Sequence, residues 1–224
     1  ITTAQVDKLT VAQVQALTTA NVQSLNTSQV QALGTDQVTA FNTAQVSALT
    51  TTEAATLSAA QTKVLSTAQV QVLNTANIKA LKLASVEAMT STQLQVLTTT
   101  QLNTLEVEDF ANLNDAQITG LTTAQVQALS TTAVAALSST QVATLSSAEV
   151  ALLSTSQIKA LDTTQVKALA AEGLSGFNTA QMAALTTGQV AALTAAQVKA
   201  LTTAQVAALG TSNVQALTTT QVAA

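Results

Sequence analysis

The chain has 224 residues and a formal net charge of −4, with 8% charged residues, seven Lys, no Arg, and no His, Cys, Trp, Tyr or Pro. That composition excludes thiol and imidazole nucleophiles, zinc sites built from nitrogen and sulfur, and guanidinium clamps on phosphate. It leaves no basic footprint for nucleic acid or anionic lipid, and the longest apolar run, residues 133–137, is far short of the about 20 residues that span a bilayer.

From Ile1 onward a large apolar residue returns every eighth position, through Leu9, Leu17 and Leu25 to Leu217, without insertion or deletion. The chain is therefore 28 octads of the form Leu-Thr-Thr-Ala-Gln-Val-x-Ala, as in residues 121–128 and 201–208. A period this short describes a stack of like parts, whose cooperative unit is a group of neighbouring repeats. Counting from the Leu as position 1, position 2 is Ser, Thr, Asn or Asp in 23 octads and position 5 is Gln or Glu in 21. Together they form a capping box, in which the short polar side chain accepts the N3 amide and the Gln reaches back to the N-cap amide. Positions 1 and 6 then fall where a hydrophobic staple needs apolar residues, and position 6 is Val, Ile, Leu, Met or Phe in all octads but those of Ala54 and Thr62. Two independent helix-start devices thus agree on one register.

A helix that restarts every eight residues must also stop within them. The expected unit is six or seven helical residues and one extended residue at the N-cap. Such a helix is too short to stand alone in water, so stacking must bury positions 1, 6 and 8. Small Ala at position 8 lets neighbours approach, while positions 3, 4 and 7, which carry most of the charge, face water. One continuous helix is excluded because eight residues leave about 80° of drift, which winds the Leu stripe round the axis. A β-solenoid draws on Thr and Val, but it would put positions 1 and 6 on opposite faces, and Ala and Gln favour helix. The fold expected is all-α: a solenoid of one- to two-turn helices, one per octad, in a single continuous array over residues 1–224.

Three octads depart from the pattern. Residues 81–88 (LKLASVEA) and 105–112 (LEVEDFAN) place Leu83 and Val107 at position 3, marking where the outer face is covered or the solenoid bends. Glu106, Glu108 and Asp109, with nearby Asp115, form the one acidic cluster and the weak candidate for a calcium site. Their spacing fits no calcium loop, and acids are expected at helix starts from the dipole alone, so no metal and no cofactor are assigned. Glu106 and Glu108 are also the only candidate carboxylate pair, and no aromatic platform accompanies them, so the chain is not read as an enzyme. In residues 169–176 (LAAEGLSG), Gly173 and Gly176 suggest a locally loosened turn. The final octads are close to consensus and lack a polar cap, which suggests an excerpt from a longer array.

The octads LTTAQVQAL, LSTAQVQVL and LTAAQVKAL resemble the Thr/Ala/Gln/Val/Leu short-repeat arrays of very large secreted or cell-surface bacterial adhesin-like proteins. The resemblance covers the whole chain and carries no catalytic or binding residue. It implies an extracellular location at the bacterial surface, and a structural stalk, fibre or matrix filament that self-associates or continues into a longer array. No membrane span or nucleic-acid partner is expected. The alternative is a binding surface for adhesion or ice, presented by regular Thr-rich faces.

Overall fold

A computed structural model describes residues 1–223. Among these residues every octad forms one α-helix, from Thr3–Asp7 to Thr219–Val222, and there is no strand. The all-helical repeat fold expected from the octads is the fold found. The helices are shorter than expected, at four to six residues, because two positions per octad are extended rather than one. Leu33 (φ −64°, ψ 126°) closes the helix Thr27–Ala32 and Gly34 (φ −71°, ψ 163°) opens the next. The Leu amide usually bonds back three residues, as Leu33 N–H does to the Val30 carbonyl at 3.2 Å, so most helices end in a tightened turn; Leu113 bonds back four, to Asp109 at 3.1 Å. Its own carbonyl is then free to point at a neighbouring turn.

Most helix starts follow the capping box, while Lys82, Glu106 and Ala170 make no side-chain cap hydrogen bond. In the octad of residues 121–128, Thr122 Oγ1 accepts the Gln125 amide at 3.2 Å, and Gln125 Oε1 accepts the Thr122 amide at 2.8 Å. The box satisfies two of the amides that a helix start leaves without partners, and a cap of this kind stabilises by about 1 kcal/mol.

The octads fall into two compact units, Ile1–Leu113 and Asn114–Ala224. In the first, each helix packs on the one three octads further along, from Thr3–Asp7 on Thr27–Ala32 to Leu83–Glu87 on Val107–Asn112. The second follows the same rule, from Asp115–Thr119 on Ser139–Ala143 to Ala195–Lys199 on Thr219–Val222. Positions 1 and 6 fill the interior of both, as with Phe41, Val46, Leu94 and Phe110 in the first and Ile158, Leu174 and Met182 in the second. Each buried side chain of this size contributes about 1.5–3 kcal/mol of transfer free energy.

Two expectations need correction. Position 8 is mostly not interior: it sits at the helix C-terminus and stays half-buried at Ala32, Ala48 and Ala128, with Ala184 a buried exception, because the second buried stripe is taken by position 5. Nor is the turn at Gly173 loosened. The helix Ala171–Ser175 is regular, and Gly173 is buried, where an added Cβ would lie 3.5 Å from Val150. An alanine there would sit in ordinary van der Waals contact with Val150. Among the described residues only Gly210 has a positive φ (77°), at the N-cap of Thr211–Gln215. Leu209 before it remains helical (φ −60°, ψ −30°), and the chain must then turn through a left-handed residue, where glycine carries no steric cost.

Candidate functional site

The most regular chemical feature of both units is a ladder of buried position 5 side chains. Gln37 closes its own capping box by accepting the Gly34 amide at 2.7 Å. Its amide nitrogen points the other way and donates to the carbonyls of Leu9 (2.7 Å) and Val6 (2.9 Å) in the preceding turn. Gln45, Gln61, Gln69 and Gln93 repeat this, each reaching carbonyls 28 and 31 residues earlier. In the second unit Gln157, Gln165, Gln189, Gln197, Gln205 and Gln221 do the same. The nearer carbonyl always belongs to position 1, whose extended backbone turns it outward from its own helix.

Helices stack on those three octads away, and the ladder spans 28 residues. Each Gln therefore clasps the junction between two helices of the turn it sits on. This arrangement has a direction. Position 5 is covered by the preceding turn, so Gln5 and Gln13 are exposed while Gln45 is buried at 1%. Position 6 is covered by the following turn, so Val6 is fully buried while Val206 and Val214 are 39% and 46% exposed.

Other residues at position 5 show what the ladder requires. Asn77 and Asn213 still donate to the position 1 carbonyls of Leu49 and Leu185, at 2.9 and 2.8 Å. Ser85 donates its hydroxyl to Leu57 at 2.8 Å. Glu53 keeps only half the function. Its Oε2 accepts the Thr50 amide at 2.6 Å, but its buried Oε1 occupies the place of a donor nitrogen and has no partner.

The acidic octad resolves into separate roles. Glu106 is the N-cap of Val107–Asn112, but its side chain makes no cap hydrogen bond and lies 3.7 Å from Lys79 Nζ. Glu108 is exposed in the first turn of that helix. Asp109 is buried at position 5, and its Oδ2 accepts the Glu106 amide at 2.8 Å. Burial, foremost, pushes the Asp109 carboxyl above its ordinary range; the Glu106 amide opposes this, and Glu106, Glu108 and Glu87 add to the rise. Asp115 is the first residue of the helix Asp115–Thr119 in the second unit. Among the described residues no three acidic side chains gather as a metal site.

On the outer surface the hydroxyls divide by position. Those at position 2 are used in capping, as at Thr10, Ser66 and Thr186, whereas position 3 hydroxyls at Thr3, Thr27, Thr35 and Thr43 are exposed. No described helix is long and apolar enough to cross a membrane. The ALTTAQ repeat family model matches residues 19–51, 102–139, 110–147, 134–171, 160–195 and 195–224, together well over half of the chain. No curated protein matches the chain.

Proposed function

The chain belongs to the ALTTAQ repeat family, and on that premise we propose that it is a non-catalytic structural repeat protein, an extracellular stalk, fibre or matrix filament at a bacterial surface. The observation that carries this reading is the ladder. The buried amides of position 5 are spent on joining one turn to the next, as Gln69 joins Phe41 and Val38. What faces outward is sparse in charge and rich in Thr and Ser, a poor basis for catalysis and a good one for a chemically quiet spacer. The extracellular location rests on the resemblance of the octads to surface adhesin-like arrays.

In such a spacer, repeat number sets length. Deleting residues 153–160, one whole octad, shortens the particle measured by small-angle scattering and leaves helix content per residue unchanged in circular dichroism. Loss of helix throughout the chain would overturn the spacer reading. Surface labelling of intact cells, with and without protease, tests the location: protection of the array from protease removes it.

The exposed Thr row at position 3 favours a second reading, a surface that binds ice or an adhesion ligand. Thermal hysteresis of the purified array tests the ice version, and its absence eliminates it.

A further inference from the structure

The octads of residues 81–88 and 105–112 break the pattern in the same two ways. Each gives up the N-cap side-chain hydrogen bond, at Lys82 and at Glu106, and each replaces the exposed Thr of position 3 with an aliphatic residue, Leu83 and Val107. Their helices, Leu83–Glu87 and Val107–Asn112, are packed on one another in successive turns of the first unit. Lost caps cost about 1 kcal/mol each, and the exposed Val107 and half-buried Leu83 add little to the fold in return. Local rules broken together, without a compensating gain inside the molecule, mark a place where function acts.

The geometry points to a lateral docking surface for a second copy of this chain, made by Lys82 and Leu83 on one turn and Glu106 and Val107 on the next. Val107 is 50% exposed, Leu83 is half-buried, and Lys82 is exposed and in no ion pair among the described residues. Glu106 is held only by Lys79 at 3.7 Å, an exposed pair worth little. The patch carries a cation on one turn and an anion on the next, so it is complementary to itself. A two-fold rotation brings Lys82 opposite Glu106 of the second copy and Leu83 opposite its Val107, and the reverse contacts follow by symmetry. One such patch is far smaller than a standard interface, so the contact is weak and salt-sensitive. Its strength grows when copies present it more than once. The contact rests on the structural role proposed above, since lateral pairing converts isolated arrays into a fibre.

The chain has no cysteine, so introduced thiols report this contact without background. A mixture of the Leu83→Cys and Val107→Cys variants is expected to form disulfide dimers faster than either variant alone, with the advantage lost at high salt. Lys82→Glu and Glu106→Lys, introduced singly into the chain without cysteine, should each abolish association in analytical ultracentrifugation, whereas mixing the two proteins restores it. Leu83→Thr with Val107→Thr returns position 3 of both octads to consensus, so its dichroism stays native while association is lost. Equal disulfide rates in mixed and single samples, failure of the mixed charge variants to associate, or a native chain monomeric at every concentration overturns the proposal. So does capture of a different protein in place of a second copy, where that capture is lost in Leu83→Thr with Val107→Thr. These results leave the spacer reading standing, because that reading is tested by length.

Discussion

The octads of residues 105–112 and 161–168 each carry one aspartate, at position 5 in the first and at position 2 in the second. In the second unit, Asp162 is the N-cap and Gln165 is at position 5. The Asp accepts the Gln165 amide at 2.7 Å, and Gln165 donates to the preceding turn at Leu137 and Val134. In the first unit the carboxylate sits at position 5 as Asp109, where an amide donor normally stands, and the N-cap is Glu106, whose side chain does not cap. The consequences run in opposite directions. Hydrogen bonds from the Thr164 hydroxyl and the Gln165 amide lower the Asp162 carboxyl, while burial raises that of Asp109. Three residues of displacement within one octad turn a helix-capping acid into a buried one with no proton donor for the ladder.

The comparison is broken most severely by removing the amide where it works. Gln165→Met keeps the length of the side chain but leaves the Asp162 amide and the carbonyls of Leu137 and Val134 without their partner. A loss of about 3 kcal/mol is expected, from several buried groups at about 1–3 kcal/mol each. Hydrogen exchange of the helices Thr131–Ala136 and Thr163–Ala168 is the measurement, because a repeat array need not unfold in one step. An effect below 1 kcal/mol would mean that the ladder is dispensable.

The same position can be repaired in the first unit. Glu53 has the length of Gln and lacks only the donor, so Glu53→Gln gives Nε2 to the preceding turn and removes the orphaned Oε1. The expected gain is about 1–2 kcal/mol in local exchange protection. Asp109 lacks both length and donor, and Asp109→Gln supplies both in a crowded acidic setting, for a gain of about 1 kcal/mol. If Glu53→Gln is neutral while Asp109→Gln stabilises, side-chain reach rather than the donor is the deficiency.

The smallest effects are those of pH, and they have opposite sign. The folded Asp109 binds its proton more tightly than its ordinary value of 3.8, so its contribution is most favourable at low pH. That contribution declines as pH rises past 3.8 through the raised folded value. The folded Asp162 binds its proton less tightly than 3.8, so its contribution is present above 3.8 and is lost as pH falls through the lowered folded value. Melting curves of Asp109→Asn and Asp162→Asn against the parent should therefore diverge from it with opposite slopes. The Asp162 effect stays within about 1 kcal/mol, since the group is exposed. Parallel slopes would refute the assignment of the two environments.

Much of this architecture is legible before any coordinates. Thr122 and Gln125 announce a helix start, Leu121 and Val126 its staple, and the strict period of eight requires stacking. The second use of Gln165 and its equivalents is harder to read, because a capping box needs only a side-chain carbonyl or carboxylate and Glu would serve as well. The available signal is a bias: position 5 holds 19 Gln and two Glu, Glu53 and Glu149. A residue chosen only for its acceptor would show no such preference, so the amide hydrogens must also be employed. The 28-residue offset is not legible, since 28 is not a multiple of eight and the repeat alone gives no reason to select it. Nor does sequence spacing disclose that Leu83 and Val107 lie on helices stacked upon each other, because that follows from the packing of helices three octads apart.

Each ladder Gln finds its carbonyl by counting back a fixed distance along its own neighbours, as Gln37 and Gln165 do, so register is inherited locally. Duplicating or losing one octad changes which octad supplies the carbonyl, but not which position supplies it. Unequal recombination among such repeats can lengthen or shorten the gene product in steps of eight residues, and every amide downstream still meets a position 1 carbonyl. A step of any other size would present each amide with the wrong backbone atom. The ladder thus makes length an easily varied heritable trait while holding the repeat itself to eight.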